Sequence, residues 1–205
     1  LFLEAVDGMA AADPARRIQA AQIDDGYCTS RGDWLSFKPT HWPRGLEPVF
    51  RQVAAQGYTP GIWVAPFMVG CSSRLAQEHP DWLLRWRDGS LITEWKRYDN
   101  GSPDFEHYIL DSSHPEALAW IREVFTTFRS WGVRLFKTDF LEWGYKDSTL
   151  VSRHSPGRTG AEHFDAMMAT IREAIGEDSY WLGCITYFAP SIGWVDGMRM
   201  TSDVG

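Results

Sequence analysis

Five short apolar segments, each ending on charged or otherwise reactive side chains, restrict the folds open to this chain more than any other feature. They span residues 18–23, 61–65, 134–139, 180–184 and 197–202, and their length and composition predict strands. Amphipathic stretches separate them. Residues 45–56 put Leu46, Val49, Phe50 and Val53 on one face and stop at Gly57. Residues 115–131 carry Leu118, Ile121, Val124, Phe125 and Phe128 at helical spacing and stop at Gly132. The third helix, 161–175, stops at Gly176. Pro115 behind Ser113 and glycine behind each helix are the expected start and stop signals. Strands that alternate with helices in this order predict parallel βαβ units.

The strand ends share a chemistry. Asp24 and Asp25, Trp63, Lys137 and Asp139, Cys184, and Arg199 and Asp203 all lie at the C-terminal ends of predicted strands. A (β/α)8 barrel gathers its active site there, because all its βα-loops open on one face. A doubly wound sheet would carry a Gly-rich phosphate loop after its first strand, and none is present. The expected fold is therefore α/β: a partial (β/α)8 TIM barrel holding strands 2 to 6. A whole barrel has eight strands and needs about 250 residues. Residues 1–205 are expected to be one incomplete barrel, its first and last strands absent. Both ends read as cut, since the chain starts at Leu1 and stops two residues after Asp203. Between the barrel elements, residues 83–86 and 91–95 around Asp88-Gly89 have the grammar of a β-hairpin lying over the site, and 148–160 reads as a loop.

Several function classes are disfavoured. The net charge of −7 and the scattered basic residues argue against a nucleic-acid partner. No 18-residue apolar run exists to cross a membrane. Three widely spaced cysteines, Cys28, Cys71 and Cys184, lack metal-ligand spacing; the odd count suggests reduced thiols and a cytoplasmic setting. Eleven tryptophans favour a carbohydrate site, because an indole stacks on sugar faces while its edge stays wet; they equally serve to fill a core.

Each chemical motif has competing readings. Residues two apart on a strand face the same side, so Lys137 and Asp139 project together. They fit a structural ion pair, a Schiff-base lysine, or a carboxylate nucleophile with an adjacent cation. Asp203, four residues after Arg199, fits a helix N-cap or the second carboxyl of a glycosidase. Adjacent Asp24 and Asp25 repel unless a metal or a polyol shares them; no His cluster accompanies them, which disfavours a transition metal and leaves Mg²⁺ open.

Taken in order, seven motifs carry a resemblance: Gln22-Ile-Asp-Asp-Gly-Tyr27, Gly61-Ile-Trp-Val-Ala-Pro-Phe67, Leu75-Ala-Gln-Glu-His-Pro-Asp-Trp-Leu-Leu84, Leu110-Asp-Ser-Ser-His-Pro115, Phe136-Lys-Thr-Asp-Phe-Leu141, Leu182-Gly-Cys184, and Val195-Asp-Gly-Met-Arg-Met-Thr-Ser-Asp-Val204. The chain resembles the melibiase-type α-galactosidases of glycoside hydrolase family 36, and more distantly family 27, over residues 18–203. The resemblance implies hydrolysis of terminal α-linked galactose with retention, without metal or organic cofactor. It implies Asp139 as nucleophile, its ionised form favoured by Lys137, and Asp203 as general acid/base. It further implies Arg199, Lys137, Trp63 and Cys184 around the sugar, and Asp24 with Asp25 on the galactose 4- and 6-hydroxyls. An α-galactoside oligosaccharide is the implied partner, with a homo-oligomer open for the full-length form. Asp139 and Asp203 are expected about 5–7 Å apart. Departures are the lack of a first-strand aromatic, Ile185-Thr-Tyr-Phe188 in place of a small Gly-rich stretch, and Thr201-Ser202 ahead of Asp203. A raffinose-synthase-type galactosyl transferase, another α-glycosidase, a metal-dependent barrel enzyme and an inactive sugar-binding fragment are the rivals.

Overall fold

Alternation along the strands sets the architecture. In residues 135–138, Phe136 and Thr138 are fully buried while Leu135 and Lys137 are half-exposed; residues 20–23 and 180–183 alternate in the same phase. Such strands have one face under a helical layer and one face that is freer, as parallel sheets with βαβ crossovers require.

A computed structural model describes residues 1–13, 17–96 and 104–201. Its strands are β1 (Ala20–Ile23), β2 (Thr59–Val64), β3 (Met68–Gly70), β4 (Arg85–Trp86), β5 (Thr93–Lys96), β6 (Glu106–Ile109), β7 (Leu135–Thr138), β8 (Val151–Ser152), β9 (Tyr180–Gly183) and β10 (Gly197–Met198). Its helices are α1 (Phe2–Ala12), α2 (Glu47–Ala55), α3 (Arg74–Glu78), α4 (Pro115–Ser130), α5 (Gly160–Ile175) and α6 (Phe188–Ser191). Five parallel strands form the main sheet in the order β1-β2-β7-β9-β10. These are the five segments predicted from sequence. The α/β class with a parallel sheet thus stands.

Local chemistry explains the helix ends. α4 starts on Pro115, with His114 rather than a serine accepting the Glu116 N–H. α5 opens one residue earlier than predicted on a capping box, in which Thr159 and Glu162 satisfy each other's backbone N–H groups. The apolar stripe of α4 packs onto the sheet, where Phe125 meets Phe136 at 5.7 Å between rings. Arg172 of α5 lies over Trp181, 5.2 Å from the ring centroid, and pairs with Asp196.

The predicted hairpin forms in a short version. The chain reverses at Asp88-Gly89 and its arms pair antiparallel: Arg85 bridges Leu91, Trp86 N–H donates to the Ser90 carbonyl at 2.8 Å and Ile92 N–H to the Leu84 carbonyl at 3.1 Å. β4 pairs on its other edge with β8, which corrects the loop predicted for that segment, and β5 continues past the hairpin into a three-stranded antiparallel sheet with β3 and β6. Composition at a turn signals the reversal but not the partner. The excursion does reach the site: Trp95 of β5 packs edge-on against Phe140 at 4.5 Å.

Candidate active site

Register brings the predicted residues together. Ile23 pairs with Ile62, Trp63 with Lys137, and Lys137 with Leu182. One residue further along these ladders, Asp139 N–H donates to the Val64 carbonyl, Cys184 N–H to Thr138 and Arg199 N–H to Gly183. Asp24, Trp63 and Lys137 therefore form one row across the sheet, and Asp139, Cys184 and Arg199 the next row but one, on the same face.

Asp139 is 6 % exposed. Its Oδ2 accepts from Trp63 Nε1 at 3.1 Å and its Oδ1 from the Phe140 backbone N–H at 3.0 Å. Burial pushes the carboxyl above its ordinary range, while these two donors, and then the charges of Arg199 and Lys137, pull it down. Lys137 was expected to keep Asp139 ionised; its influence has that sign but is the weakest of the four. The reason is geometric: the ammonium reaches across β2 to Asp24 Oδ2 at 2.8 Å. Burial alone would lower the Lys137 pKa, but the hydrogen bond and charge of Asp24 outweigh it and hold it above its usual value. Gln22 Nε2 donates to the same Asp24 oxygen at 2.8 Å. Trp63, read from sequence as a pocket lining, is 2 % exposed and serves as the donor to Asp139.

The two adjacent carboxylates are not shared by one partner. Asp24 faces Lys137, whereas Asp25 Oδ2 accepts from Arg31 Nη2 at 2.5 Å. Among the described residues, no group of three or more His, Cys, Asp or Glu is placed to hold a metal ion. Cys184 is fully buried, and burial followed by the Asp139 charge pushes its thiol up to about 11, so it sits at the site as a neutral S–H. All three cysteines are free thiols. Asp203 lies outside the described residues, and with it the expected separation from Asp139.

Two residues at the site escaped the sequence reading. Arg31 carries no motif signal; its role follows only from the loop that returns it beneath Asp25. Glu142 is the second residue of the 3-10 helix Leu141–Tyr145 that follows Asp139. Burial, with the charges of Asp139 and Glu94, outweighs a backbone hydrogen bond and pushes its carboxyl up to about 7.

The backbone around the site is strained. Phe140 (φ 53°) and Ile185 (φ 40°) are the only non-glycine residues with positive φ among those described, and each directly follows a site residue, Asp139 or Cys184. Such conformations cost about 1–3 kcal/mol each and persist only where surrounding structure enforces them. Here the Glu142 N–H donates to the Ile185 carbonyl at 3.1 Å, tying the two turns together.

Comparison with known proteins identifies relatives of this chain. A family model described as Melibiase matches residues 9–168. Alpha-galactosidase 2 of Pediococcus pentosaceus is 36% identical over 83 residues, covering 37% of this chain and 11% of that protein. Among solved structures, TtGalA, an α-galactosidase from Thermus thermophilus in complex with stachyose, superposes with a TM-score of 0.81 at 31% identity, over 97% of this chain and 39% of that one. A substituted form of the Geobacillus stearothermophilus α-galactosidase AgaA in complex with raffinose shares the fold, with a TM-score of 0.62 at 22% identity over 88% of this chain and 25% of that one. The chain thus spans well under half the length of these relatives.

Proposed function

The chain belongs to the melibiase family, and on that premise we propose that it forms most of the catalytic (β/α)8 barrel of a retaining α-galactosidase. The observation that carries this reading is the environment of Asp139: a buried carboxylate at a strand end, oriented by an indole and a backbone N–H, with Arg199 and Lys137 close by. A nucleophile needs that fixed aim more than it needs full hydration.

In the first step an Asp139 oxygen bonds to the anomeric carbon as the glycosidic C–O bond breaks, and Asp203 passes its proton to the leaving oxygen. In the second, Asp203 takes a proton from water, the water oxygen bonds to the same carbon, and Asp139 leaves as carboxylate. The Lys137–Asp24 pair and Asp25 receive the ring hydroxyls. An axial 4-hydroxyl meets these charges, and an equatorial one leaves a carboxylate covered by the sugar without its hydrogen bond, which disfavours glucose. TtGalA was solved with stachyose and AgaA with raffinose, and oligosaccharides of that kind are the substrates proposed here. A cytoplasmic setting is proposed with them.

The test is the full-length protein assayed on nitrophenyl α-galactoside, α-glucoside and α-N-acetylgalactosaminide side by side, with Asp139→Gly as the variant. Preferred cleavage of the galactoside, its loss in Asp139→Gly and partial rescue by azide support the proposal. Unchanged activity in Asp139→Gly removes Asp139 from the mechanism.

A further inference from the structure

The loop after β1 folds a cation into the protein. Arg31 is 2 % exposed, in a chain segment closed by the bridge between Cys28 and Phe37. Its guanidinium reaches groups from different elements: Nη2 donates to Asp25 Oδ2 at 2.5 Å, and Nη1 lies 3.3 Å from His107 Nε2 on β6. Its backbone is held as firmly. The N–H donates to Asp104 Oδ2 at 3.3 Å, and the carbonyl accepts from Gly70 N–H at 2.8 Å.

Asp104, 2 % exposed, is the floor of this socket. It accepts from Ser30 Oγ at 2.8 and 2.9 Å, from the Ser72 N–H at 3.0 Å and from the Ser72 hydroxyl. The fit leaves no slack, since a Cβ on Gly70 would stand 2.1 Å from the Asp104 carboxylate. His107 is fully buried. Arg31 can only donate, so Nε2 of His107 is the acceptor and its proton sits on Nδ1. Burial, then the charge of Arg31, push this imidazole down to about 4, so it stays neutral. Of the two carboxylates around Arg31, Asp25 pairs with the buried guanidinium, and Asp104 accepts from the backbone N–H and from Ser30 and Ser72. Of those two, Asp104 is locked inward. Asp25 keeps 17 % of its side chain exposed and is the chain neighbour of Asp24, which faces Lys137.

We propose that Arg31 is a positioning residue: gripped between Asp25 and the His107–Asp104 floor, it aims the Asp25 carboxylate at the sugar and so sets how strictly the site demands a galactose ring with its 6-hydroxyl. The inference rests on the α-galactosidase reading above. A planar guanidinium in a closed socket holds one direction, whereas the ammonium of a lysine would rotate among its partners. The two neighbouring carboxylates are thus aimed by separate cations, Asp24 by Lys137 and Asp25 by Arg31, and are independently tunable.

The experiment uses the full-length protein with Arg31→Lys, Arg31→Met, Asp25→Asn and the Arg31→Lys/Asp25→Asn double variant. Kinetics are measured on nitrophenyl α-galactoside and its 6-deoxy counterpart, and thermal stabilisation by galactose is measured without turnover. In Arg31→Lys, KM on the galactoside rises about tenfold or more while kcat changes much less, the preference over the 6-deoxy substrate shrinks, and the galactose-induced shift in Tm falls. In the Asp25→Asn background the same change adds little, because the two act as one unit. Multiplicative effects in the double variant, a fall in kcat at constant KM, or an unaltered preference overturns the proposal. So does failure of both Arg31 variants to fold, which would make Arg31 a staple of the loop alone. If the unsubstituted protein neither cleaves the galactoside nor is stabilised by galactose, the α-galactosidase reading itself falls, and the clamp with it.

Discussion

Trp63→Phe isolates the contact that orients Asp139. The substitution keeps an aromatic ring on the side where Trp63 meets Trp34 edge-on at 5.9 Å, but removes the indole N–H that donates to Asp139 Oδ2 at 3.1 Å. The backbone N–H of Phe140 remains on Oδ1. A hydrogen bond to a charged acceptor contributes about 1.5–3 kcal/mol, and here it favours the ionised carboxyl over the protonated one. Burial already raises the Asp139 pKa, so losing the donor moves it further in the same direction. The nucleophile must be ionised, so the acidic limb of kcat/KM shifts to higher pH. On the acid side of that limb the variant loses about tenfold to a hundredfold, and above it far less. The assay is the pH profile of kcat/KM on nitrophenyl α-galactoside from about pH 4 to 8, with a melting curve to confirm folding. Two parallel profiles, displaced in height with the limb unmoved, would refute the argument.

Three further outcomes are expected. Thr138→Val strands the buried Trp181 Nε1–H, which donates to Thr138 Oγ1 at 2.7 Å; urea unfolding should show a loss of about 1–3 kcal/mol. In Gly144→Ala, the new Cβ would stand 2.2 Å from the Phe67 ring, itself stacked on Phe164 at 6.0 Å; overpacking of about 1–3 kcal/mol should lower Tm measurably. Glu142→Gln tests the raised carboxyl at about 7: folding favours the protonated form, so wild-type stability declines as pH rises from the unfolded value of about 4.3 to 7 and levels off above it. The variant should therefore gain on wild type across that window, by up to about 3 kcal/mol, and a gap that does not change with pH would contradict the assignment.

The main sheet was legible because its signal is local. Apolar runs bounded by Asp24, Trp63, Asp139 and Cys184 mark strand ends whatever their neighbours, and the stripe from Leu118 to Phe128 marks a helix by spacing alone. Pairing partners were less legible. β5 leaves β4 for β6, a choice made by packing such as Trp95 against Phe140 and invisible to turn grammar. The site divided the same way. Residue types and strand positions pointed to Asp139, Lys137 and Asp24, but which cation serves which carboxylate depends on side-chain reach across the sheet. That geometry sends Lys137 to Asp24 and hands Asp139 to Trp63. Arg31 was beyond reach of the sequence, because a single arginine in a polar loop looks like any solvated one until the chain folds back over it.

The alternation of the parallel strands has an evolutionary corollary. Ile62, Phe136 and Trp181 bear the weight of the fold from one side of the sheet, while Asp24, Lys137 and Asp139 face the other. Mutational drift on the working side leaves the helical layer undisturbed, so selection is free to retool the substrate without renegotiating the scaffold. A directed library confined to the alternate positions of these strand ends should accordingly yield a high proportion of folded proteins, with altered sugar preference appearing well before any fall in yield.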